Sequence, residues 1–201
     1  MCVFKSGIIL KDRIYIPDHN KHRVMLEELG IEDTGNNAEN IFVRFELSPS
    51  HGDVFSPIES WHFRVDQDII PDWFVKQFDR ERSVSAVIEW AKNRIFKGVS
   101  NLNISAGSNY YFKDCKDIIL KGNAQVERLE NSTVGAMLDS STVGEMRDNS
   151  MVSIPDSIYS KRVAHERIIL CDNSLIKDGR TKTIYQSGGW ELVMTEKDQT
   201  P

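Results

Sequence analysis

Two kinds of hydrophobic spacing divide the chain. In its first hundred residues, short apolar runs at Val3–Leu10 and Arg13–Pro17, with polar residues between them, predict a β-hairpin. The stretch NKHRVMLEELG groups Val24, Met25, Leu26 and Leu29 at the spacing of one short helix, with Gly30 as its stop. A polar loop, EDTGNNAEN, follows. Strict alternation then places Val43, Phe45 and Leu47 on one face of IFVRFEL, and Trp61, Phe63 and Val65 on one face of WHFRV. These segments predict two half-buried antiparallel strands. In DRERSVSAVIEWAKNRIF the apolar positions Val84, Val87, Ile88, Ala91 and Ile95 recur at helical spacing, so an amphipathic helix covers the small sheet.

Beyond about Lys97 the pattern changes, with more Asn, Ser, Gly and Asp and with short apolar pairs that lack helical spacing. The segments GNAQVERLE, NSTVGAMLD, SSTVGEMRD and NSMVSIPDS align on Val126, Val134, Val143 and Val152, a repeat of about nine residues. A small residue (Ala124, Ser132, Ser141, Ser150) stands two before each valine and shares its face on an extended strand. A second apolar position (Leu129, Met137, Met146 and, weakly, Pro155) comes three after it. Gly135 and Gly144 and the recurring Ser-Thr-Val disfavour a helix. The unit therefore reads as one short strand and one corner of a β-solenoid, with Asp, Asn, Ser or Gly at the corners. Two units complete a flattened coil of about eighteen residues, or three a three-sided one. IILCDNSLIKD repeats the D-N-S signature, DCKDIILKGN is an imperfect predecessor, and GGWELVM, with Trp190, Leu192 and Met194, supplies a closing strand.

The expected fold is thus an α+β N-terminal domain (1–97) followed by a short C-terminal β-solenoid, parallel β-helix-like, with a terminal cap (98–194) and a disordered tail (195–201).

Composition narrows the function more than it specifies it. A chain of 201 residues with 40% hydrophobic residues can bury a core, and its net charge of −5 lacks the basic excess of a nucleic-acid binder. No apolar run is long enough to span a membrane, and the N-terminus does not read as a signal peptide. Cys2, Cys115 and Cys171 are odd in number and far apart, which indicates neither a disulfide framework nor a cysteine zinc site and points to a reducing cytoplasm.

Each candidate for chemistry has a plainer structural reading beside it. Removal of Met1 would leave Cys2 as an N-terminal nucleophile ahead of a strand, as in N-terminal-nucleophile hydrolases and amidotransferases, but the accompanying Gly-rich and Asn/Asp motifs are absent. His19 and His22, three apart beside Asp18, resemble half of a metal site without a third ligand, so no metal is assigned. His51 and Asp53 lie in the Pro- and Gly-bounded loop SPSHGDVFSP, with His62 on the polar face of the next strand. Asp66, Asp68 and Asp72 lack the glycine and closing glutamate of a calcium loop, and Asp68 reads better as a helix cap. Ser132, Ser141 and Ser150 read as small interior residues rather than nucleophiles. Gly135 and Gly144 form no phosphate loop and read as corners, and no cofactor motif occurs.

An N-terminal MC before an apolar strand, then IEDTG, FVRFELSP, FRVDQDIIPDWF, an EWAK helix and finally the NSTVGAML and SSTVGEMR units, resembles a group of proteins in bacteriophages, prophages and gut bacteria whose repeats vary in number. The resemblance covers roughly residues 1–180 and brings no activity with it. It implies a phage or mobile-element setting, in which small accessory proteins bind host components. With the solenoid's outward Glu127, Arg128, Glu130, Glu145, Arg147 and Asp148, and the His51/Asp53 loop, the expectation is a non-enzymatic cytoplasmic protein that binds a host or phage protein, a defence factor among them, or stacks on its own copies. Sequestration of a nucleotide-type ligand between subunits and a Cys2-dependent enzyme are the alternatives.

Overall fold

In the computed structural model, residues 4–33, 41–160, 163 and 168–187 are described, together with the backbone of 190–193. Cys2, Met194 and the 195–201 tail lie outside them. The chain forms two compact units that divide between Arg94 and Ile95.

The first unit is an α+β domain. Strands β1 (Lys5–Leu10), β2 (Ile14–Tyr15), β3 (Phe42–Ser48) and β4 (His62–Val65) form an antiparallel sheet in the order β2-β1-β3-β4. Helix α1 (His22–Glu28) packs Met25 and Leu26 against Ile8 and Phe42 on one face. On the opposite face, that of Lys5, Ile9, Val43, Phe45 and Leu47, every one of these side chains is buried. Helix α2 (Lys76–Ala91) lies on this side, where the Lys5 ammonium sits 5.0 Å from the centre of the Trp90 ring. With a helix on each face, β1 is buried from Lys5 to Ile9, which is why Ile8 and Ile9 are both apolar rather than alternating.

Two expectations for this unit are revised. Helix α2 starts at Lys76, and its N-terminal carboxylate is Asp79, which accepts the Val75 N–H at 2.8 Å and pairs with Arg82; Asp68 caps no helix and is exposed. The helix also ends at Ala91. Ile95 keeps the helical spacing by coincidence, because three turn residues intervene and Ile95 and Phe96 then pair in a strand with Tyr111 and Phe112.

That strand opens the second unit, a two-sided β-solenoid of about three turns over 95–152. Strands β5 (Ile95–Lys97), β7 (Tyr110–Lys113), β9 (Gln125–Glu130), β11 (Thr142–Arg147) and β13 (Ile169–Leu170) stack in parallel as one sheet. Strands β6 (Asn103–Ile104), β8 (Ile118–Leu120), β10 (Thr133–Met137), β12 (Met151–Ile154) and β14 (Leu175–Asp178) stack as the other. Val143 pairs with Val126, and Val152 beside Met151 pairs with Val134, so a circuit takes seventeen or eighteen residues. Each nine-residue unit is one strand and one corner, and successive units fall on alternate sheets. Strands β15 (Thr183–Gln186) and β16 (Trp190–Val193) continue the second sheet as an antiparallel hairpin.

The core is one column per inward position: Tyr110, Val126 and Val143; Phe112, Leu129 and Met146; Ile118, Val134 and Val152; Leu120, Met137 and Ile154. Residues three apart normally face opposite sides of a strand. Val134 and Met137 both face inward because a bulge adds a residue between them, opposite Ile118 and Leu120, and a matching shift separates Val126 from Leu129 opposite Tyr110 and Phe112. Gly135 and Gly144 sit inside these strands, not at corners as expected. At Gly144 a Cβ would come within 3.0 Å of the Glu127 carbonyl oxygen of the coil before, so only glycine fits without a shift.

The corners belong to Asp and Asn. Asp114, Asn131, Asp148 and Asp172 all adopt φ between 54° and 55° except Asn131 at 47°, the left-handed region that short polar side chains tolerate. Beside them Cys115, Ser132, Ser150 and Ser174 form an inner ladder with no exposure. The Ser132 hydroxyl donates to the Glu130 carbonyl at 2.8 Å and accepts the Cys115 N–H at 3.0 Å, while the Ser150 hydroxyl accepts the Ser132 N–H at 3.2 Å. Cys115 thus takes a serine's place in the imperfect early coil.

The final circuit is longer, since Ile176 pairs with Val152. There Asp178 replaces the apolar residue that would continue the Ile154 column. It is fully buried and accepts hydrogen bonds from the Arg180 guanidinium, from Nε at 2.9 Å to Oδ1 and 3.2 Å to Oδ2 and from Nη2 at 2.5 Å to Oδ2, and Arg180 also donates to the carbonyls of Ser160 and Val163. The Ile154 column stops at this ion pair, while Ile176 continues the Val152 column.

Candidate functional site

The solenoid presents a charged face on the outside of the β5–β13 sheet. Register puts Tyr111, Arg128, Glu145 and Ile169 in one row, and Lys113, Glu130 and Arg147 in the next. Within the first row Arg128 Nε donates to Glu145 Oε2 at 2.9 Å; Arg147 Nη2 reaches Glu145 Oε1 at 2.9 Å; Lys113 pairs with Glu130. Charges therefore alternate in sign along and across the strands, and the ladder is built of ion pairs.

The sequence-predicted binding residues differ in how they meet solvent. Arg128 is buried, Glu145 is half-buried, and Arg147 keeps 42% of its side chain exposed. Asp148 is a corner residue with its N–H donated to Asp172 Oδ2 at 3.2 Å. Burial pushes the half-buried Glu127 carboxyl above its ordinary range. Burial alone would do the same to Glu145, but the hydrogen bonds and charges of Arg147 and Arg128 outweigh it and hold that carboxyl low.

In the first unit the His51/Asp53 loop is a tight turn. His51 has φ 55° and is exposed; Asp53 Oδ1 accepts the Phe55 N–H at 2.9 Å, and the turn drives Val54 and Phe55 into the interior. His62 lies exposed on β4. Asp53 here shapes the chain, and the three groups have no described hydrogen bond to one another.

A cluster that spacing alone did not reveal lies where α1 meets β3 and β4. His22, Glu46 and Asp66 bring one ligand atom each within 4.8 Å of one another. His22 Nε2 is 3.2 Å from the Phe45 carbonyl and its Nδ1 is 3.2 Å from Asp66 Oδ2, while Arg64 Nη2 bridges Glu46 Oε2 at 2.8 Å and Asp66 Oδ1 at 3.1 Å. His19, the partner that spacing suggested, turns instead to Glu28 at 3.1 Å. The carboxylates that join His22 come from β3 and from the residue after β4, more than twenty positions away.

Among the described residues Lys5 is the most strongly buried cation. Its ammonium donates to the carbonyls of Pro17 and His19 at 2.6 and 3.0 Å and to Asn20 Oδ1 at 3.0 Å; burial, with a contribution from Arg94 against the opposing pull of Asp18, lowers its pKa to about 8. It ties the 17–20 segment to β1. A groove of about 600 Å³ beside α2 is lined by Asp12, Arg13, Phe78, Glu81, Arg82 and Glu89, among others, a mixed charge that favours no one ligand sign. Among the described residues no helix is long and apolar enough to cross a membrane.

Compared with known proteins, the chain matches no family model, no curated protein and no solved structure.

Proposed function

We propose that the protein is a non-enzymatic binding protein that engages a protein partner through the outer face of the β5–β13 sheet. The observation that carries this reading is the ladder of Lys113, Glu130, Arg147, Glu145 and Arg128, a flat surface whose charges recur at the rise of the coil. Stacked side chains held by ion pairs lose little freedom on binding, which lowers the ordering cost of an interface. The resemblance to phage and prophage proteins supports a host protein, including a defence component, as the partner.

The test exchanges charges without removing them. Lys113→Glu with Glu130→Lys keeps an ion pair at the same rung and inverts the pattern a partner reads. Affinity capture from bacterial lysate, quantified by mass spectrometry, is expected to lose a specific protein with the exchanged variant while the melting temperature stays within a few degrees of the parent. Capture that survives the exchange places the contact elsewhere and overturns the reading.

A further inference from the structure

We infer that His22, Glu46 and Asp66 form a binding site for a divalent transition-metal ion, with the Arg64 guanidinium holding the two carboxylates until the ion displaces it. The Phe45 carbonyl only accepts hydrogen bonds, so His22 Nε2 carries a proton donated to it at 3.2 Å. This fixes the ring and turns Nδ1 toward Asp66 Oδ2, 3.2 Å away. Between an imidazole lone pair and a carboxylate oxygen, both electron-rich, the stable occupant is a proton or a metal cation. A histidine whose far nitrogen is anchored on a backbone carbonyl is the arrangement that orients imidazole ligands in metal sites.

The donor set agrees with this. Metal–ligand bonds of about 2.0–2.2 Å place ligand atoms roughly 3–3.5 Å apart, and the His22 and Asp66 atoms already have that separation. Glu46 and Asp66 are brought together by register: the Glu46↔Arg64 pair of β3 and β4 places Glu46 beside the strand that ends just before Asp66. One nitrogen and two carboxylate oxygens suit Zn²⁺, Co²⁺ or Mn²⁺ and leave positions for water; an imidazole disfavours Ca²⁺. Arg64 leaves 60% of its side chain exposed, so it can swing into water at little packing cost, and its two ion pairs are of the surface kind. It competes with the metal for the same two carboxylates.

Titration of the full-length protein with Co²⁺ alone, followed by calorimetry and visible absorption, tests the site. One equivalent is expected to bind to the parent. His22→Gln and Asp66→Asn should each weaken it at least tenfold, His19→Gln should leave it unchanged, and Arg64→Gln should tighten it several-fold by removing the competing cation. That last gain is what a network of ion pairs alone would not produce. Absence of stoichiometric binding in both the parent and Arg64→Gln overturns the inference, as does binding that persists undiminished in His22→Gln.

Discussion

At the residue scale, buried polar groups set the sharpest expectations. Ser132 satisfies a carbonyl of its own corner and an N–H of the preceding coil while having no exposure. Ser132→Ala leaves the buried Cys115 N–H without this partner, so the variant is expected to lose about 1–3 kcal/mol in urea unfolding. Lys5 gives a pH signature. Its native pKa is about 8 against 10.5 in the unfolded chain, so between those values the unfolded state holds the proton that the native state has lost, and stability rises with pH. Between pH 7 and 9 the gain is about 1.4 kcal/mol, a slope that Lys5→Met removes. Glu127 and Glu145 should move in opposite directions. The raised Glu127 carboxyl costs stability once ionised, so Glu127→Gln is stabilising at pH 7 and neutral near pH 4. The lowered Glu145 carboxyl contributes stability above its unfolded pKa, so Glu145→Gln is destabilising at pH 7, and the loss fades as acid protonates the native group. Chemical unfolding of each variant at the two pH values checks both signs.

At the scale of elements, the circuit rather than the nine-residue unit is the modular piece. Deleting 126–142 joins Gln125 to Val143, residues that precede and occupy equivalent inward positions of neighbouring coils, and leaves the Asp/Asn corners and the serine ladder in register. The shortened protein is expected to fold with a lower melting temperature, because one layer of a stacked core is lost. Deleting 126–134 sends every later strand to the opposite sheet and is expected to abolish cooperative melting by circular dichroism. The solenoid was legible because Val, Ser and Asp recur with a period, and a stacked column repeats its residue type. The bulges were not, since an apolar residue three after another fits no simple strand; the glycines that mark them looked like corners. The strand at Ile95 was masked by its accidental helical spacing. The cluster at His22 was invisible for a different reason: its ligands come from α1, β3 and the residue after β4, and only strand register brings them together. Asp79 as the helix N-terminal carboxylate was hidden by Pro71 and Asp68, which carry the same signals a few residues early.

At the scale of the molecule, the chain divides into two compact units. The solenoid's buried cluster runs from Tyr110 to Ile176, and a cluster of the N-terminal unit groups Ile8, Met25, Leu26 and Phe42. Stability terms located in one unit should then be independent of those in the other. Lys5→Met and Ser132→Ala lie in different units, so in the full chain their effects on unfolding free energy should add within about 0.5 kcal/mol, with the pH slope following Lys5 alone. Fragments sharpen this. Residues 95–201 produced alone should melt cooperatively with β-type circular dichroism and keep the full Ser132→Ala penalty, because the ladder that Ser132 serves lies wholly within them. Residues 1–94 should keep the Lys5 slope, since Pro17, His19 and Asn20 are all inside that span. A coupling energy well above 0.5 kcal/mol, or a solenoid fragment that fails to fold, would show that the stability of the ladder depends on residues before Ile95, and that the division of the chain into two compact units is not a division of its energetics.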